Sequence, residues 1–239
     1  MRLDKLLAHT GYGTRKDVKE LLKKKQVKVD GVIAKKGNTH VNPDVQTIQV
    51  GQEIVQYEKY VYLLLHKPPN YVSATRDDRD KTVIDLVPSE YQHYDLAPVG
   101  RLDKDTEGLV LLTNDGLLNH RLTSPRNEVF KTYYAKIKGK VDPKHIKEFR
   151  EGVTLDDGYK TKQANLEIIT SDDISEITLS ISEGKFHQVK RMFHAINMEV
   201  MYLKRLSMGE LKLDNSLSLG KIRRLNEEEM NYINYLKEE

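Results

Sequence analysis

Two apolar runs constrain this chain most: Val61–Leu65 and Leu109–Leu112. A run with no polar alternation must be covered on both faces, so each is expected as an interior strand of a buried sheet. Further strands are expected around Tyr62–His66, Leu109–Thr113, Thr132–Gly139, Asn165–Ile169, Glu176–Ser182 and Glu199–Leu206. Helical spacing falls between some of them. It covers Leu117–Leu122, begins again at Asp142-Pro143, where proline suits the first helical position, and returns at His187–Ile196, with Phe186, Val189, Met192, Phe193 and Ile196 on the apolar side. Asn226 with Glu229 caps a last helix. Strands interrupted at irregular intervals predict an α+β fold, with no βαβ repeat.

The N-terminal part reads differently. Leu3, Leu6 and Leu7 have helical spacing, and Gly11 and Gly13 end that helix. Thr14 and Asp17 form a capping box for a second helix, with Val18, Leu21 and Leu22 on its apolar side. Val27 and Val29, the turn Asp30-Gly31, and Val32 and Ile33 predict a hairpin. Residues 1–36 hold eleven Lys/Arg and four Asp/Glu, a balance of +7 within a chain of net charge +3. Such concentration suits a polyanion-binding appendage or a solvated lysine-rich face. The expected division is an appendage over 1–57, a linker over 58–60 and a larger domain over 61–239.

The composition excludes several classes. With no cysteine there is no disulfide framework and no thiolate chemistry. No apolar run approaches the ~18 residues of a membrane span, and the opening residues MRLDKLLAHTGYG lack a signal-peptide core. A cytoplasmic, soluble protein is expected. There is no dinucleotide fingerprint, phosphate-cradling glycine loop or metal-ligand cluster, so no cofactor and no metal is expected. His187 and His194, seven residues apart without acidic or thiol partners, do not make a metal pair.

The chemistry points to Gly100–Leu109, where the charged stretch Arg101-Leu102-Asp103-Lys104-Asp105-Thr106-Glu107 precedes the apolar strand. This places Asp103 at the mouth of a buried sheet, either as a turn-former or as a held, accessible carboxylate. Arg-Leu-Asp-Lys also occurs at Arg2–Lys5, but there no Gly-Leu strand follows, and Asp4 is expected to be a cap or ion-pair residue.

This segment resembles the catalytic motif of the RsuA-type pseudouridine synthases, in which Asp follows Gly-Arg-Leu and precedes Thr-x-Gly-Leu. Val61–Ser73 resembles the opening Lys-Pro motif, Lys131-Thr132-Tyr133 the Lys-Thr-Tyr motif, and Glu183–Phe193 the third motif. Residues 1–36 are similar to an S4-type RNA-binding domain. The resemblance implies a synthase core of mixed, mainly antiparallel sheet with flanking helices, behind a small S4-like domain. It implies isomerisation of uridine in ribosomal RNA without a cofactor. The small-subunit 16S enzymes are most similar, and 23S rRNA is the alternative target. A ribosome-assembly RNA-binding protein without catalysis is the competing class.

By the same resemblance, Asp103 is the catalytic carboxylate, acting as nucleophile or as charge stabiliser. Lys190 is its cationic partner, against a merely exposed helix lysine. Tyr133 stacks on the base, against an ordinary strand tyrosine. Arg101 fills the gap left by a flipped base or holds a phosphate, against a turn or ion-pair role. Arg2, Lys5, Arg15, Lys16 and Lys19 are the expected phosphate contacts. The expected partner is rRNA in a pre-ribosomal particle, bound by a monomer. Two positions depart from the family pattern. Asn70 stands where glycine is usual, a tolerable change because asparagine enters left-handed backbone, and Lys185 stands for a frequent arginine.

Overall fold

A computed structural model describes residues 1–238, and the chain falls into two compact units. One comprises Met1–Val61 with Val87–Asp95; the other comprises Tyr62–Leu86 with Leu96–Glu239. The inclusion of 87–95 in the first unit is not visible in a linear reading.

In the first unit, α1 (Leu3–His9) and α2 (Arg15–Lys23) precede a small sheet. Its strands are β1 (Val27–Val29), β2 (Val32–Ile33), β3 (Ile48–Val50) and β4 (Glu53–Ile54), in the order β2-β1-β3-β4. The Thr14–Asp17 capping box forms reciprocally. Asp30 and Gly31 both take positive φ, 50° and 79°, the geometry a two-residue hairpin turn requires. Leu3, Leu6, Leu7, Val18, Leu22, Val27 and Ile48 form the core. The charges stay outside: Lys5, Arg15, Lys16, Lys19 and Lys23–Lys25 are exposed.

The second unit is built on a nine-stranded sheet. Its strands are β5 (Tyr62–Lys67), β6 (Ala97–Pro98), β7 (Glu107–Thr113), β8 (Lys131–Lys138), β9 (Asn165–Thr170), β10 (Ile174–Ile181), β11 (Glu199–Met208), β12 (Leu211–Lys212) and β13 (Ile222–Arg224). The order is β13-β5-β7-β11-β8-β10-β9, with β12 on β11 and β6 on β7. Every pairing is antiparallel except β7 with β11. The flanking helices are α3 (Gly116–Thr123), α4 (Pro143–Glu151), α5 (Gln188–Ala195) and α6 (Glu227–Glu238).

The apolar runs lie where their composition requires. Leu63–Leu65 and Leu109–Leu112 are fully buried on adjacent central strands, whereas β8 and β10 alternate between buried and exposed positions. Asp115, itself buried, caps α3 by accepting from Leu118 N at 3.2 Å. It also accepts from Tyr62 Oη at 2.8 Å and pairs with Lys237 of α6 at 3.2 Å. One side chain differs from expectation. Phe186, which helical periodicity placed on the apolar side of α5, precedes the helix and is 74% exposed. Its ring stacks on His187 at 3.8 Å.

Candidate active site

Asp103 lies on the loop between β6 and β7, and that loop is held from below. Lys67, the last residue of β5, is fully buried. Its Nζ donates to the carbonyls of Pro68 (3.1 Å), Asp103 (3.1 Å), Lys104 (3.3 Å) and Thr106 (2.7 Å). Burial pushes this ammonium down to about 8, opposed by the charges of Asp105, Asp103 and Glu107. Asn70 does enter the left-handed region, at φ 69°, and its N–H donates to Lys104 O at 2.7 Å. Ser73 Oγ brackets Leu102, accepting from its N–H at 3.0 Å and donating to its carbonyl at 3.1 Å. At Gly108 (φ 113°) a Cβ would stand 2.3 Å from Arg205 O. Only glycine allows β7 and β11 to approach there.

The second wall is the start of α5. Glu183 is buried and accepts from Tyr159 Oη (2.7 Å), Lys162 N (2.9 Å) and Gln188 Nε2 (2.7 Å). Gln188 also accepts from Lys185 N at 2.8 Å, which shapes the turn into the helix. His187 takes φ 49° at the N-cap. Phe193 packs against Phe149 of α4 at 5.0 Å, seating α5. Lys190 Nζ then lies 3.2 Å from Asp103 Oδ2, and His187 Nε2 lies 3.5 Å from Oδ1.

Lys190 is shared. It also contacts both oxygens of Asp105, at 2.6 and 2.8 Å. Burial works against the charged form of Asp105, but the Lys190 bond and charge hold its carboxyl below the usual range. Lys190 is itself part-buried; the two carboxylates outweigh that burial and raise its affinity for the proton.

The floor is the sheet. Tyr133 on β8 is buried and stands opposite Arg205 on β11 and Leu179 on β10. Lys131 shares its strand face, two residues earlier. Arg205 is 2% exposed and donates through Nε to Leu109 O at 2.8 Å. Loop, helix start and floor enclose a cavity of about 510 Å³ that Arg101, Asp103, Lys131, Tyr133, Lys190 and Arg205 help to line. That volume lies in the range of small-ligand sites and admits a nucleoside.

Of the residues singled out by sequence, Asp103, Tyr133, Lys190 and Arg101 therefore meet around one cavity. Arg2, Lys5, Arg15, Lys16 and Lys19 belong to the first unit. Arg2 is engaged in a two-pronged pair with Asp4, at 3.0 and 2.6 Å, so Asp4 is an ion-pair residue. The sequence reading missed Lys67, Asp105, Lys131, His187 and Arg205 as parts of the site. For Lys131, the signal was its period-two spacing from Tyr133. For Arg205, it was a cation at an inward register position, two residues after Leu203.

Fold and site define an enzyme of the α+β class, with a carboxylate–ammonium centre at the mouth of a sheet-floored cavity. The chain belongs to the RNA pseudouridylate synthase family: the model of that family matches residues 61–195, and the S4 domain model matches residues 1–46. An uncharacterised RNA pseudouridine synthase of Bacillus subtilis is 49% identical, covering 98% of each chain. Ribosomal small subunit pseudouridine synthase A of Vibrio cholerae is 38% identical, covering 96% of this chain and 98% of that one. Ribosomal large subunit pseudouridine synthase B of Bacillus subtilis is 39% identical, covering 96% and 93%. A crystal structure of a pseudouridylate synthase aligns with TM-score 0.68 and 34% identity, covering 98% of this chain and 99% of the other.

Proposed function

We propose that this protein converts a uridine of 16S rRNA to pseudouridine, with Asp103 as the catalytic carboxylate. The observation that carries the proposal is the Asp103–Lys190 contact of 3.2 Å at the edge of a cavity floored by Tyr133. The reaction breaks the C1′–N1 bond and forms C1′–C5. The electron pair of the broken bond leaves with the uracil, and the sugar carbon becomes electron-poor beside the Asp103 carboxylate. The base turns, C5 bonds to C1′, C5 loses its proton and N1 gains one. Nothing is imported, so the residues need only ionise, position and enclose.

Lys190 keeps a cation against Asp103, which favours the carboxylate form where partial burial disfavours it. Tyr133 gives the base an aromatic surface and stands where C5 is to lose its proton. Arg101, exposed at the rim, either fills the stack vacated by the flipped base or holds a phosphate. Arg2, Lys5, Arg15, Lys16 and Lys19 of the S4 domain bind phosphates, a contribution that weakens with salt. Of these, Arg2 is already engaged with Asp4. The protein acts as a cytoplasmic monomer on a pre-ribosomal particle.

The small- and large-subunit relatives are almost equally similar, so 23S rRNA is the second reading. Pseudouridine mapping of both rRNAs from cells with and without the protein tests the two. The expected result is one 16S position that loses its pseudouridine and regains it on complementation. A position lost from 23S instead transfers the activity to the large subunit. No lost position in either, together with retained rRNA binding, leaves a non-catalytic assembly role.

A further inference from the structure

Two buried cations, Lys131 and Arg205, line the cavity, and a third, Lys67, lies under the Asp103 loop and is fully engaged. Lys67 has four carbonyls. Arg205 has one, through Nε; its Nη2 is buried with no acceptor. Arg205 Nη1 lies 3.9 Å from where a Gly100 Cβ would stand. Lys131 is 7% exposed, and its side chain makes no hydrogen bond or ion pair among the described residues. Burial pushes the Lys131 ammonium down to about 8, and the neighbouring Arg205 charge pushes in the same direction. Two adjacent buried cations without a carboxylate oppose folding. An electron-rich ligand placed between them removes that cost.

The position identifies the ligand. Arg205 is the cross-strand neighbour of Tyr133, and Lys131 lies two residues from Tyr133 on the same face. An RNA phosphate remains on the backbone at the cavity mouth. The atoms that arrive beside Tyr133 are those of the base. We propose that Lys131 and Arg205 form a cationic seat for the two carbonyl oxygens of the target uracil, and that the seat holds the base while it is detached from the sugar.

This rests on the pseudouridine-forming function given above and adds a role to that reaction. The pair of electrons left by the C1′–N1 bond spreads over N1, O2, C5 and O4 of the uracil anion. Cations at the oxygens stabilise that charge as it develops, without reorganisation in a largely dry site. The seat also suits the turn of the base. Rotation about the axis through N3 and C6 exchanges N1 with C5 and O2 with O4. Two oxygens therefore occupy the seat before and after, while C5 replaces N1 opposite C1′. The anion then bonds to C1′ through C5, loses the C5 proton and takes one up at N1.

The test is Lys131→Met, which removes the charge and keeps the shape. Single-turnover tritium release from C5 is measured with excess enzyme on an rRNA fragment that the wild type modifies. The fragment carries uridine, 2-thiouridine or 4-thiouridine at the target, since sulfur is the weaker acceptor. The variant is expected to react on the order of 100-fold more slowly, with RNA affinity unchanged and a melting temperature equal to or above wild type. Either sulfur is expected to slow the wild type and to add little to the variant's defect. If the variant melts lower, the thiouridine comparison within the folded variant still decides the matter. Arg205→Lys, which keeps a charge and loses the fork, is expected to slow the reaction less than Lys131→Met. Wild-type rates in Lys131→Met overturn the seat. So does a defect confined to RNA affinity with a flatter salt dependence, which marks a phosphate site, and so do sulfur effects that simply multiply with the mutation. A wild type inert on every rRNA overturns the pseudouridine function itself, and the seat with it.

Discussion

The two units use lysine and arginine in opposite ways. In the first, Lys5, Arg15, Lys16 and Lys19 stand in solvent on two short helices. Water solvates each, any one resembles the next, and salt screens them all. In the second, Lys131 and Arg205 are buried in the lining of one cavity and Lys67 beneath the Asp103 loop. There each charge has a fixed set of neighbours, and the loss of one is not made up by another. Under the proposed function the contrast separates two tasks: solvated charge supplies affinity for a polyanion, and buried charge supplies geometry and reactivity.

The sharpest way to break this contrast is Lys67→Met. It leaves the carbonyls of Asp103, Lys104 and Thr106 without their shared donor. A stability loss of about 3 kcal/mol in urea titration is expected, together with a rate loss on the order of 100-fold as the Asp103 loop shifts. A variant of unchanged stability and rate means that the loop is held by Ser73 and Asn70 alone. The surface counterpart is Arg15→Ala/Lys16→Ala/Lys19→Ala. RNA affinity should fall by roughly tenfold at physiological salt, and the slope of log K against log salt should flatten by about 2. The rate at saturating enzyme should be unchanged. A full slope moves the phosphate contacts elsewhere.

The smallest effect is a pH dependence of stability. Lys67 and Lys131 titrate near 8 in the folded protein, against an ordinary 10.5. Between those values the unfolded chain binds more protons than the folded one, so stability rises as pH rises from 8 towards 10. Solvated lysines contribute nothing to that rise. Lys131→Met should show about half of it, measured by urea midpoints at about pH 7.5, 8.5 and 9.5. An identical rise in both proteins means that Lys131 is not buried as a cation.

Much of the architecture was legible because the determinants were local. The central strands β5 and β7 carry their burial in unbroken apolar runs, and the Thr14–Asp17 box and the Asp30-Gly31 turn carry their own geometry. Asp103, Tyr133, Lys190 and Arg101 could be singled out because motifs mark them, although Asp103 and Lys190 stand 87 residues apart. The rest depended on strand pairing. Nothing around Arg205 says that it will stand opposite Tyr133, since that follows from the register of β11 on β8. Asp105 looks like a surface charge until α5 brings Lys190 within 2.6 Å. Phe186 satisfies helical periodicity, but the turn shaped by Gln188 starts the helix only after it. The assignment of 87–95 to the first unit has no local signal at all.

In the proposed reaction the Asp103 carboxylate performs the chemistry while other residues bind the RNA. Asp103→Asn keeps the size and most of the hydrogen bonding and removes the charge. Pseudouridine formation and RNA affinity are to be measured on the same rRNA substrate for this variant and the wild type. No detectable product is expected from Asp103→Asn, with affinity preserved. Product at the wild-type rate, or a loss explained entirely by weaker binding, rules out Asp103 as the reacting carboxylate.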